Sequence, residues 1–199
     1  MNNIPIDLSN LRDSAETRYA AKHFMESGLN LHGHVFTDHY RKGELIHTCD
    51  QGGNTFTTEG LNYLLDIIFG TTSKAGSAIF YVGIFKNNVT PGLTDTAAAK
   101  LGAAGSYGEC QDADYDSPLT NKPAYTIAAA ASSSCTNAAS AASFTMAAGI
   151  TVYGAFLGTG AAKTDTTGKL MCAKKFTSSR AVIDNDVLAV TYVVTCTTS

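Results

Sequence analysis

From Ala142 to Thr197 apolar runs alternate with short polar turns, and nothing reactive interrupts them. The runs are ITVYGAFL (150–157), KLMCAKKF (169–176), RAVI (180–183) and VLAVTYVV (187–194), separated by TGAAKTDTTG, TSS and DND. Val, Ile, Tyr, Phe and Thr are the residue types that fit a pleated, half-buried surface, so each run predicts a strand. Ile150, Val152 and Phe156 alternate with Tyr153, Ala155 and Leu157, all apolar, which predicts burial on both faces. In the last run Leu188, Val190, Tyr192 and Val194 should face inward, with Ala189, Thr191 and Thr195 outward. Asp184-Asn185-Asp186 reads as a tight turn, since Asn tolerates a positive φ.

Earlier in the chain, residues 29–48 alternate around Arg41-Lys42-Gly43 and predict a β-hairpin, followed by a DQGGNT loop (50–55). Residues 58–69 predict the one clear helix. Leu61, Leu64, Leu65 and Ile68 fall at i, i+3, i+4 and i+7 as a single buried stripe, Thr57 or Thr58 can cap it, and Gly70 can end it. AIFYVGIF (78–85), apolar on both faces, reads as a central strand, and Ala124–Ile127 as a further one. Residues 87–123, with Pro91, Pro118 and Pro123, read as a long loop of functional surface. Residues 128–142 are rich in Ala and Ser and read as a loop leading into Phe144-Thr145-Met146. With seven or eight strands and one helix, the expected fold is mainly β: an antiparallel β-sandwich of jelly-roll or immunoglobulin-like type, over 29–199. Residues 1–28 read as an extended N-terminal arm. Pro5 disfavours helix before it, and Ser9–Ser27 holds too few apolar residues to fold alone.

Composition narrows the function. Charged residues are 16% of the 199, below the usual quarter, so the surface must be built from Ser, Thr, Asn, Gly and Ala. A net charge of −3 with no basic run argues against nucleic acid as a partner. No segment reaches the roughly 20 apolar residues of a membrane helix. The N-terminus lacks the basic-then-apolar order of a secretory signal, so synthesis in a cytoplasm is expected. Cys49, Cys110, Cys135, Cys172 and Cys196 are widely spaced with no CxxC, and are expected as free thiols.

Candidate chemistry is sparse. His32 and His34 would project from one strand face and could share a metal if Asp38 or His39 turned back to join them; an exposed polar face is the plainer reading. Glu109, Asp112, Asp114 and Asp116 begin like a calcium loop, but Ser117 and Pro123 stand where its glycine and closing glutamate belong. Gly168-Lys169 fails as a phosphate loop because Lys163 and Leu170 occupy required positions. Gly158 and Gly160 fail as a dinucleotide fingerprint, again at Lys163. There is no GxSxG. No cofactor, no metal site and no enzymatic activity are expected.

GLNYLLDIIFG followed by IFYVGIF and SPLTNKPAY, and then CTNAASAASFTMAAGITVYGAFLGTG with TTGKLMCAKKFTSSRAVIDNDVLAVTYVV, resembles small virion structural proteins of tailed bacteriophages. The resemblance runs in order over about residues 54–196 and lies in the succession of motifs. Asn185 stands where that family commonly carries Gly, and the chain before residue 45 is not covered. The resemblance implies a structural component of the particle, on the head exterior or in the tail. A capsid cement or decoration subunit fits the low charge and the arm. Its partners would be the major capsid protein and further copies of itself, most plausibly as a trimer. Within the arm Arg12, Tyr19 and Phe24 are the expected contact anchors. The rivals are a tail or baseplate component meeting a host glycan through residues 86–123 and 158–168, and a metal-dependent β-sandwich hydrolase using His32 and His34.

Overall fold

The structure is a computed structural model that describes residues 29–70, 72 and 80–198. Among them ten strands, all paired antiparallel, form two sheets. The first contains β1 (Leu29–Arg41), β2 (Glu44–Gly53), β5 (Tyr115–Ser117), β6 (Ser134–Thr136), β7 (Ala142–Met146) and β10 (Val187–Thr198). Its order is β2-β1-β10-β7-β5, with β6 also paired to β10. The second contains β3 (Thr55–Phe56), β4 (Tyr81–Phe85), β8 (Ile150–Gly158) and β9 (Leu170–Val182), in the order β3-β9-β8-β4. Helix α1 spans Thr58–Ile68 and a single turn, α2, spans Ala97–Lys100. The mainly β sandwich expected from the alternation is present.

The β1–β2 hairpin closes on Lys42 and Gly43, both with positive φ, as a two-residue turn matched to strand twist requires. Between the sheets Val35, Phe144, Met146, Val152, Leu188, Val190 and Tyr192 form the main core. Burying a side chain of this size stabilises the fold by about 1.5–3 kcal/mol relative to leaving it in water. The outer face of the second sheet is covered too. Phe85, Phe156, Leu170 and Ala173 pack there against Ala97, Leu101 and Tyr107 of the long loop. The β8–β9 register breaks between Val152 and Gly154, where β9 carries the extra residues, and across this break Val152, Ala155 and Leu157 face one core and Phe156 the other. Burial on both faces is as the sequence predicts, but Val152, expected on the face of Phe156, lies with Ala155 and Leu157 instead.

Local expectations are corrected in four further places. The strand ending at Phe85 is an edge strand, not a central one. It is buried because residues 107–125 run along it, with Cys110 N–H donating to Ile84 O at 2.9 Å and Val82 N–H to Pro123 O at 2.9 Å. Ala124–Ile127 makes a single bridge, at Ala124, and forms no strand. The DQGG stretch is the end of β2, and TSS (177–179) lies inside a continuous β9. The buried Gln51 side chain explains both. Its Nε2 donates to Ser178 O, its Oε1 accepts from Ser178 N–H, and its backbone carbonyl accepts from the Thr177 hydroxyl. A side chain thereby supplies the partners that polar strand residues would otherwise seek in a turn.

The fourth of these places is α1. Thr57 caps it, accepting from Gly60 N–H at 3.0 Å. The helix crosses β9 at Gly60, where a Cβ would collide with the Met171 backbone. This contact sets the helix's rotation, so Tyr63 and Leu64 turn onto the core. Leu61, Leu65 and Ile68, expected inside, are exposed.

Candidate interaction surface

Charged groups on the long loops are spent on one another. Glu109 and Lys122 are both fully buried and pair at 3.0 Å; Glu109 also accepts from Gly102 and Thr164 N–H. Lys163 reaches Asp112 at 2.8 Å, donates to Tyr115 O at 3.0 Å and lies 3.9 Å over the Tyr115 ring. Lys86 meets both oxygens of Asp114 at 2.8 Å. Three carboxylates of the suspected calcium loop are thus held by lysines, while Asp116 is exposed. The pairs also tie residues 86–123 to residues 158–168 as one rigid layer. Lys163, which spoils both phosphate motifs, is a strut in that layer.

The histidines divide by face. His32 and His34 lie on the outer face of β1, and His39 on the inner. The outward pair therefore cannot recruit His39. Asp38 shares the outer face but is hydrogen-bonded by Thr48, and His34 is engaged by Asp50 and stacked on Phe36. Asp50 is held below the usual carboxylate range by its bond to His34. Among the described residues no group of three or more His, Cys, Asp or Glu is placed to hold a metal ion.

The inner face carries a polar seam that the sequence reading missed. Asp186, buried in the β9–β10 turn, accepts from Arg41 Nε at 2.9 Å and Nη2 at 2.8 Å, from His39 Nε2 at 2.8 Å and from Ile183 N–H at 2.9 Å. Arg180 of β9 donates to His39 Nδ1 at 3.1 Å. A carboxylate only accepts and a guanidinium only donates, so His39 is fixed as the neutral Nε2–H tautomer. Both its ring nitrogens are engaged in these bonds. Arg41 above all holds Asp186 well below the ordinary carboxylate range. Opposite His39, His47 is pushed down by burial and then by the nearby Arg180 guanidinium. All five cysteines are free thiols; burial raises the pKa of Cys110 and Cys172, which disfavours the thiolate.

Exposed large apolar residues mark the surface at two ends of the body. One set lies at the hairpin end: Leu45, Ile46 and Ile183. Of these, Ile183 donates its N–H to Asp186, and Asp186 in turn ties the β9–β10 turn to Arg41 of the hairpin. The second lies at the opposite end of β1: Leu29, Leu93 and the outer side of α1. There a groove of about 540 Å³ has a mixed lining, apolar at Leu29, Phe56, Leu61 and Leu93 and polar at His32 and Asn54 among others. No described helix is long and apolar enough to cross a membrane. The anchors expected in the arm, Arg12, Tyr19 and Phe24, lie outside the described residues.

Compared with known proteins, the chain matches no family profile, no curated protein and no solved structure.

Proposed function

We propose that the chain is a structural protein of a tailed-bacteriophage virion, a cement or decoration subunit seated on the head exterior over the lattice of the major capsid protein. One observation carries this reading: Leu45, Ile46 and Ile183 are exposed around the end where Arg41 of the hairpin and Asp186 of the β9–β10 turn are tied by two hydrogen bonds. Such an end can bury apolar surface at a junction between capsid subunits, worth about 25 cal/mol per Å² before the costs of association. Many copies, each adding a small term, would oppose the outward pressure of packaged DNA, and a symmetric trimer would multiply the contact. The order of sequence motifs supports the same assignment. Synthesis in the host cytoplasm and assembly without nucleic acid or membrane contact complete it.

Quantitative peptide mass spectrometry of purified particles tests the proposal. Hundreds of copies per particle are expected. A handful would overturn the head assignment in favour of tail or baseplate, and none would overturn a virion role altogether.

A further inference from the structure

Helix α1 is apolar on two sides. Its inner side, with Gly60, Tyr63 and Leu64, packs on β9 and the core. Its outer side repeats Leu61, Leu65 and Ile68 at i, i+4 and i+7 and ends on Phe69. Leu65 is 54% exposed, Ile68 64% and Phe69 81%. This strip meets the groove at Leu61, where Leu29 and Leu93 continue it and Asn30, His32, Asn54 and Thr55 supply polar lining. The remaining side of the helix is polar, with Asn62 and Asp66 exposed.

The described chain begins on the lip of that groove, at Leu29, with 28 residues before it. We propose that the groove and the outer side of α1 are the seat of this chain's own arm, residues 19–25 (YAAKHFM), folded back from Leu29. Reach allows it. Phe24 lies five residues from Leu29, at most about 18 Å of extended chain, and Tyr19 ten residues, about 35 Å. The strip from Leu61 to Phe69 is only about 12 Å long. Met25 and Phe24 fit the Leu61–Leu93 groove, and Tyr19 fits the far end at Ile68 and Phe69. Tethering favours this occupant over a second copy, because a segment joined to the groove's lip by a few residues competes intramolecularly, at an effective concentration of the order of millimolar. Tyr19 and Phe24 then serve the chain itself, leaving Arg12 and Ile4-Pro5-Ile6 for a partner. The inference stands apart from the virion reading and survives or fails without it.

Hydrogen exchange of the full-length protein, read by mass spectrometry, tests it with two variants: Leu65→Asp/Ile68→Asp on the helix and Tyr19→Asp/Phe24→Asp on the arm. In the wild type, amides of residues 19–25 should exchange about tenfold or more slower than in an unstructured chain. Each variant should return them to the unstructured rate while β8 and β9 keep their protection, which shows the body still folded. Unprotected residues 19–25 in the wild type would overturn the proposal, as would protection indifferent to Leu65→Asp/Ile68→Asp. Protection that disappears on dilution would also overturn it, by making the occupant a second copy.

Discussion

Asp186 shows how far a single residue's role can lie from its local sequence. In the chain it is the last letter of a polar turn; in the fold it joins Arg41, His39 and the Ile183 amide. Its turn neighbour Asn185 was legible, because a positive φ at a tight turn is a local requirement, and its φ is 64°. The Asp186 partners Arg41 and His39 were not, being more than 140 residues away in the chain. The seam predicts acid sensitivity. His47 is held below its ordinary pKa, so the unfolded chain takes its proton more readily. Its contribution to stability is complete above about pH 6.5 and declines as pH falls. Asp186, also held low, keeps its contribution down to about pH 3.8 and loses it below. Urea midpoints should therefore fall between pH 7 and pH 5, and His47→Gln should flatten that part of the profile. The Glu109–Lys122 pair predicts a second effect. Lys122→Met strands a buried carboxylate and should cost about 3–5 kcal/mol by urea denaturation. Adding Glu109→Gln should restore part of the loss.

At the scale of elements, sequence periodicity located strands and helix well but oriented them poorly where a neighbour chose the face. Helix α1 has two apolar stripes one residue apart, and the period alone could not rank them. Gly60 ranks them, through its close approach to Met171. Gly60→Ala should push the helix off β9 and cost about 1–3 kcal/mol, seen as a lower denaturant midpoint with a native-like far-UV spectrum. The TSS segment misled for a related reason. Its polarity marks a turn unless a side chain meets the backbone, and Gln51 does so from the other sheet. Gln51→Leu leaves the Ser178 N–H and carbonyl without these partners and should cost about 1–3 kcal/mol. Proteolytic nicking near residues 177–179 should rise with it.

At the scale of the whole molecule, the low charge is not spread thinly over the surface; much of it is gathered into pairs that stiffen the loops. The body is a sandwich with a third layer, the loop and α2 over its second sheet, and with apolar residues exposed at both ends. The fold class was legible because alternation is a direct imprint of a sheet with a wet and a dry face. The apolar ends were not, since exposure depends on where chain crossings leave a residue. The account's central claim is that the hairpin end docks this body onto a protein shell. A density map of the intact virion tests that most directly. The account predicts this sandwich on the outside of the head, with Leu45, Ile46 and Ile183 against the major capsid protein. Density for it confined to the tail, or its absence from the particle, would contradict the claim.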